Sequence, residues 1–270
     1  MDKRPIGVFD SGLGGLTAVR ELGLRLPHES IIYFGDTGRV PYGPRGRDVI
    51  CKYASQDVRF LRTFDIKAIL VACGTVSTTA LDTLRETFDI PLTGVVESAS
   101  AKAAQVTKNG RIGVIATAAS IASGAYTRHI HAHDPSLTVI EKACPLFVPI
   151  VENGRFRRGD PLPELLVRDY LTELKAQEID TLVLGCTHYP LLWDVISDFM
   201  GSGVTLVSSG AEAAAAIADT LAASGIASDR KYAQNRYYVS DSAEDFRKYA
   251  SMYLCREIDG TVEKVEIDTY

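Results

Sequence analysis

Ile6-Gly7-Val8-Phe9-Asp10-Ser11 and Asp65-Ile66-Lys67-Ala68-Ile69-Leu70-Val71-Ala72-Cys73 each have a later counterpart, Ile112-Gly113-Val114-Ile115-Ala116-Thr117 and Glu178-Ile179-Asp180-Thr181-Leu182-Val183-Leu184-Gly185-Cys186. The offsets, 106 and 113 residues, describe one duplicated unit with a few residues inserted. Each stretch contains a short apolar, β-branched run of strand length. Amphipathic stretches of helical length lie between such runs: Gly15 to Leu26 precedes Ile31–Phe34, and Val49 to Phe64 precedes Ala68–Ala72. The second half continues with strand candidates at Leu137–Ile140 and Val204–Val207. Strands alternating with helices predict βαβ units and a parallel sheet. The expected fold is therefore α/β: two similar α/β domains with mainly parallel sheets, related by pseudo-twofold symmetry, with a cleft between them.

An Ala-rich helical stretch, Ser208 to Leu221, returns the chain, and Tyr237–Ser240 reads as a strand of the first half. This predicts a discontinuous first domain, residues 1–96 and 208–270, and a second domain, residues 97–207. Both crossings between them would be natural hinges.

The 270-residue chain has 29 Lys and Arg against 34 Asp and Glu, a formal net charge of −5. No basic field is available to hold nucleic acid by counterion release. The longest apolar runs fall far short of the roughly 20 residues of a membrane span, and the N-terminus opens with charges, so a cytoplasmic protein is expected. Five scattered cysteines without a Cys-x-x-Cys pair fit neither a disulfide framework nor a zinc knuckle. They read as free thiols.

Parallel α/β sheets bind ligands beyond the carboxyl ends of their strands. Asp10, Ser11, Cys73, Thr117 and Cys186 all fall there. Cys73 and Cys186 occupy matching ends of the duplicated unit, so the two halves would bring them to one cleft from different sides. A buried strand-end cysteine is ordinarily structural, and it is the matched pair that points to chemistry. Two equivalent acid–base groups, one thiolate and one thiol, can invert a carbon centre and exchange roles in the reverse direction. A free thiol is only about 3% ionised at pH 7, so a ready thiolate costs about 2 kcal/mol. His188, two residues after Cys186, and Asp10 at the first strand end can supply that. The α-proton of an amino acid is a harder acid to ionise, and electrostatic stabilisation with exclusion of water must close the gap. Backbone N–H groups after each cysteine could hold a carboxylate, with hydroxyls of Ser11, Thr75, Thr117 and Thr187 as further donors. Taken singly, each such Ser or Thr is equally well a helix cap.

At these residues the chain resembles glutamate racemase, of the aspartate/glutamate racemase superfamily. The resemblance runs along essentially the whole length, through Gly7-Val8-Phe9-Asp10-Ser11-Gly12-Leu13-Gly14-Gly15-Leu16, Tyr33-Phe34-Gly35-Asp36-Thr37, Pro41-Tyr42-Gly43, Val71-Ala72-Cys73 with Thr75, Ser123-Gly124-Ala125-Tyr126 and Leu184-Gly185-Cys186-Thr187-His188-Tyr189-Pro190. It implies two α/β domains with the active site between them, no cofactor, a small amino-acid substrate, and interconversion of L- and D-glutamate for peptidoglycan. It implies a homodimer as well. Position by position, Cys73 and Cys186 are similar to the base pair, with the first acting on the D-isomer and the second on the L-isomer. Asp10 and His188 resemble the assisting groups and Glu152 a further acidic residue. Ser11, Pro41, Tyr42, Gly43, Gly74, Thr75, Thr117 and Thr187 fall in the substrate-binding set, along with Asp10 and His188.

The resemblance departs at Gly74, where the family usually reads Asn. On the sequence alone, Gly74 removes an amide from the substrate set and leaves space beside the first thiol. Thr117-Ala118-Ala119-Ser120 replaces the usual Thr-x-Gly-Thr but keeps both hydroxyls. Two other readings follow from Gly74: a racemase of the same superfamily acting on aspartate or another amino acid, and a non-catalytic amino-acid-binding homologue.

Other signals carry less. Gly12-Leu13-Gly14-Gly15 resembles a dinucleotide turn, but Thr17 stands at the third glycine position. His129, His131 and His133 lack a third ligand on one helix face, and a helix C-terminus favours such cations; no metal site is expected. Arg155, Arg157 and Arg158 read as a solvated loop, and Cys51, Cys144 and Cys255 as structural.

Overall fold

The computed structural model describes residues 1–270. Its ten strands are β1 (Ile6–Asp10), β2 (Ile31–Gly35), β3 (Ala68–Val71), β4 (Leu92–Gly94), β5 (Arg111–Ala116), β6 (Thr138–Ala143), β7 (Thr181–Leu184), β8 (Thr205–Ser208), β9 (Arg236–Val239) and β10 (Thr261–Lys264). They form a six-stranded sheet, ordered β10-β9-β2-β1-β3-β4, and a four-stranded sheet, β6-β5-β7-β8, with every pairing parallel. The order β2-β1-β3-β4 recurs as β6-β5-β7-β8, so the duplication visible in the sequence is also a duplication of topology. β9 and β10 extend the first copy.

The helices are α1 (Leu16–Arg25), α2 (Arg47–Leu61), α3 (Gly74–Thr79), α4 (Leu81–Thr87), α5 (Val95–Val106), α6 (Ala118–Ala122), α7 (Ala125–His133), α8 (Phe147–Glu152), α9 (Pro161–Ala176), α10 (Trp193–Met200), α11 (Ser209–Ala223) and α12 (Ala243–Leu254). Their starts follow the sequence. Asp160 caps α9 by accepting the Leu162 N–H, with Pro161 in the first turn, and Ser208 and Ser242 cap α11 and α12 in the same way. In α9 the buried side chains Val167, Leu171 and Leu174 recur at helical spacing.

Strands β1, β3 and β7 are buried along their whole length, which is why they read as unbroken apolar runs rather than alternating ones. Helix α5 packs on α7 and α11, and α11 packs on α1 and touches both β3 and β8. One continuous core therefore joins Ile6 and Val8 of β1 to Ile112 and Val114 of β5. A second core lies on the other face of the larger sheet, between Phe9, Phe34 and Val71 and the α2 residues Ile50, Val58 and Leu61.

The register sets the site. Phe9 pairs with Val71 and Ile115 with Leu184, so the chain leaves β1 beside β3 and β5 beside β7 at the same end of each sheet. The two copies then diverge. Cys73 begins α3 directly, whereas Cys186 is followed by a turn and a short 3-10 segment, Tyr189–Leu192, before α10. The backbone N–H groups that follow the first thiol therefore lie at a helix start, and those that follow the second do not. The strand expected at Leu137–Ile140 runs instead from Thr138 to Ala143, as the partly exposed edge of its sheet.

Candidate active site

A cavity of about 360 Å³ opens where the strand ends of the two sheets meet. Ser11 and Cys73 reach it from the larger sheet, and Thr117 and Cys186 from the smaller. The loop after β2 contributes Pro41, Tyr42 and Gly43, and the turns after the cysteines contribute Gly74, Thr75, Thr187 and His188. Glu152 at the end of α8 completes the residues expected from the sequence. Asp10 is placed differently. It lies buried beneath the lining rather than in it, so the structure does not give it contact with the cavity expected of a substrate-binding residue.

The two thiols stand in unlike surroundings. Cys73 donates its S–H to Ser11 Oγ at 3.6 Å. Burial, and then the neighbouring Asp10 carboxylate, push the Cys73 thiol up to about 12, against donors from the Val76 N–H and Ser11. Burial likewise raises the Asp10 carboxyl, opposed by His188 and by backbone N–H groups of the glycine turn. Asp10 Oδ2 accepts the Gly12 N–H at 3.1 Å, while its Oδ1 is buried without a hydrogen-bond partner. Both groups are thus held toward their protonated forms, and Asp10 acts on the Cys73 sulfur through charge rather than through a direct hydrogen bond.

Cys186 faces a cation instead. Its Sγ lies 3.8 Å from His188 Nδ1, and His188 Nε2 lies 3.1 Å from Glu152 Oε1. Burial alone would lower His188, but hydrogen bonds to Cys186 and Glu152 outweigh it and raise the imidazole to about 10. His188 thus holds a proton at neutral pH and directs it at the sulfur, where it would stabilise negative charge. The Tyr253 ring from α12 stands edge-on to the imidazole, centroids 5.6 Å apart at 90°.

Hydroxyls bridge the two halves. Thr75 Oγ1 and Thr117 Oγ1 are 3.2 Å apart, and Thr117 donates to Ser120 Oγ at 3.1 Å. Thr117 is at once the cap of α6 and a cavity residue, so both readings of that threonine are true together. Gly74 overturns an expectation. A Cβ there would stand 2.6 Å from the Gly185 carbonyl oxygen, so Gly74 leaves no space; it lets the two thiol-bearing turns touch. Gly14 is similar, since a Cβ there would fall 2.2 Å from Thr187 Oγ1.

Among the lining residues that sequence reasoning missed are Val40, Pro44, Pro145, Val148 and Pro149. A signal existed for two of them: Val148 and Pro149 precede Glu152 by four and three residues and so share its helix face. No group of three or more His, Cys, Asp or Glu side chains is placed to hold a metal. His131 Nε2 bonds the Leu137 carbonyl, and Arg155 and Arg158 pair with Asp160 and Asp198.

A duplicated parallel α/β fold, with a thiol from each copy on one cavity of amino-acid size, defines a class of α/β isomerase that moves protons rather than groups. Residues 20–217 match the family model described as Asp/Glu/Hydantoin racemase. The glutamate racemase of Chlorobaculum tepidum is 44% identical over 256 residues, 94% of this chain and 93% of that protein. The crystal structure of a glutamate racemase isoform from Bacillus anthracis superposes with a TM-score of 0.93 at 38% identity, covering 98% of each chain. That of the Francisella tularensis glutamate racemase in complex with D-glutamate gives 0.92 at 37% identity over the full length of both. The chain belongs to the Asp/Glu/hydantoin racemase family.

Proposed function

We propose that the protein is a cofactor-independent glutamate racemase in which Cys73 and Cys186 exchange protons with the α-carbon, supplying D-glutamate for peptidoglycan. The observation that carries this is the placement of both thiols, one from each copy of the duplicated fold, on a single cavity of about 360 Å³. That volume lies at the small end of the roughly 300–1,000 Å³ of small-molecule sites and suits a free amino acid.

The chemistry follows from the surroundings. In the L-to-D direction the Cys186 sulfur, held by protonated His188, takes the α-proton, and the electron pair remains on the substrate as a carbanion-like species. The Cys73 thiol then delivers its proton to the opposite face, helped by the nearby Asp10 carboxyl, which when charged favours the protonated sulfur and when protonated tolerates the thiolate left behind. The reverse direction exchanges the roles. Backbone N–H groups at the start of α3 and the hydroxyls of Ser11, Thr75, Thr117 and Thr187 would hold the carboxylates. Glu152 keeps His188 charged and oriented.

Incubation with L- or D-glutamate in deuterium oxide should place deuterium at the α-carbon, and Cys73→Ala and Cys186→Ala should each abolish racemisation. Exchange with no amino acid sinks the proposal.

The reading extends to the protein's organisation. Residues 1–96 with 208–270, and residues 97–207, are assigned to two domains, which the division of strands between the two sheets supports. The expected assembly is a homodimer, tested by sedimentation. The proposed location is the cytoplasm, where the five free thiols stay reduced. No helix is long and apolar enough to cross a membrane.

A further inference from the structure

The loop that brings Pro41, Tyr42 and Gly43 to the cavity is fastened from behind by a largely buried polar cluster. Asp36 and Asp57 have fully buried side chains, and Arg39 lies between them. Arg39 Nε donates to Asp36 Oδ2 at 2.7 Å, its Nη2 to Asp57 Oδ1 at 3.2 Å, and its Nη1 to Gln56 Oε1 at 2.6 Å. Ser240 Oγ donates to Asp36 Oδ1 at 2.7 Å. Tyr42 Oη touches both carboxyl groups: Asp36 Oδ2 closely, and Asp57 Oδ2 at 3.2 Å.

The number of hydrogens available limits who can donate. A phenol has one proton, and the close contact with Asp36 takes it. The contact between Tyr42 Oη and Asp57 Oδ2 then has no hydrogen unless Asp57 supplies one. A proton there completes a chain in which each link has a donor: Asp57 to Tyr42, Tyr42 to Asp36, with Arg39 donating to both carboxyl groups. The charges agree. Two carboxylates would share a single guanidinium out of water, which is costly. Burial first, then Asp36 and the more distant Asp10, hold the Asp57 carboxyl well above the usual range, against Arg39. Asp268 reaches the cluster only through Arg39, at 3.4 Å.

We propose that Asp57 is a positioning residue that keeps its proton at neutral pH and, by donating it to Tyr42, fixes the Pro41–Gly43 loop in the geometry that binds substrate. It touches no substrate itself, and its effect on activity rests on the racemase reading above. Because the loop captures substrate rather than moving the proton, its loss should appear in KM more than in kcat.

The test compares Asp57→Asn, Asp57→Ala and Tyr42→Phe by racemisation kinetics, alongside infrared spectra of the unliganded proteins. Asn keeps both functions, an N–H for Tyr42 and a C=O for Arg39, so its KM should stay within about twofold of wild type. Ala and Tyr42→Phe break the chain, and KM should rise roughly tenfold, the loss of one buried hydrogen bond, with kcat changing less. A protonated-carboxyl C=O band should be present in wild type at neutral pH and should lose the Asp57 component in Asp57→Asn, leaving only what the buried Asp10 contributes. Asn as damaging as Ala, KM unmoved in the broken-chain variants, or an unchanged carboxyl band overturns the proposal. Should Asp57→Ala fail to fold, Tyr42→Phe and the Asn spectrum still decide it. A wild type that does not racemise glutamate defeats the functional reading alone, since the infrared comparison needs no substrate.

Discussion

Gly74 decides how closely the two thiol-bearing turns can approach, because the nearest obstacle to a side chain there is backbone that cannot swing away. With the Gly185 carbonyl oxygen 2.6 Å from an ideal Cβ, a side chain at position 74 requires one of the two turns to shift, and a family member with Asn there must space its turns differently. Gly74→Ala should therefore part the turns. The expected result is a loss of about 1–3 kcal/mol in urea denaturation, the usual cost of overpacking, with kcat/KM down at least roughly tenfold as the thiols lose their shared geometry. Wild-type activity in Gly74→Ala would show that the contact has no catalytic weight. Glu152 is testable at the same scale. It is one of the two partners that raise His188, so Glu152→Gln should lower the imidazole pKa and move the alkaline limb of the kcat/KM profile to lower pH. A limb that stays in place removes Glu152 from the relay.

At the scale of elements, the glycine turn between β1 and α1 is a joint between the halves. Thr17 Oγ1 donates to the Thr187 carbonyl at 2.9 Å, and Gly14 packs against Thr187 and His188 so tightly that a methyl group there must displace both. Gly14→Ala should cut kcat roughly a hundredfold by moving His188 off Cys186, with secondary structure intact by circular dichroism; a small effect would mean that the imidazole tolerates displacement. The same turn shows what a sequence discloses. β1, β3, β5 and β7 were legible because central parallel strands are apolar on both faces, and their repetition made the matching cysteines legible too. β4, three residues long, and β10, largely exposed at a sheet edge, carry no such pattern: each is a short edge strand paired on one side only. Asp57 was illegible for a related reason: in the amphipathic pattern of α2 an acidic residue looks solvated, and only the fold brings Asp36, Arg39 and Tyr42 to it.

Across the whole molecule, the site shapes how stability responds to pH, because its groups hold protons more tightly in the folded chain than in the unfolded one. His188 rises from 6.5 to about 10 on folding, so its contribution to stability is complete below pH 6.5 and is lost as pH climbs toward 10. Cys73, raised from 9.0 to about 12, extends the same trend above pH 9. The raised Asp10 and Asp57 act in the same sense from the acid side, favouring the fold most where they are protonated. Asp2 opposes them: lowered to about 2 by its hydrogen bonds to Arg4, it adds stability that is lost only as pH falls below the ordinary carboxylate range. Urea midpoints should therefore fall steadily from pH 6.5 to 10, with His188 contributing at most about 1.4 kcal/mol per pH unit. The His188→Asn protein removes that proton and should show a visibly shallower decline over the same interval. The α12 residue Tyr253 packs on His188, so the lost stability should loosen the C-terminal helix along with the cleft. Hydrogen exchange at pH 9 should find α12 amides less protected than at pH 7 in wild type, with no such difference in the variant. Parallel urea slopes for the two proteins would remove His188 as the group responsible.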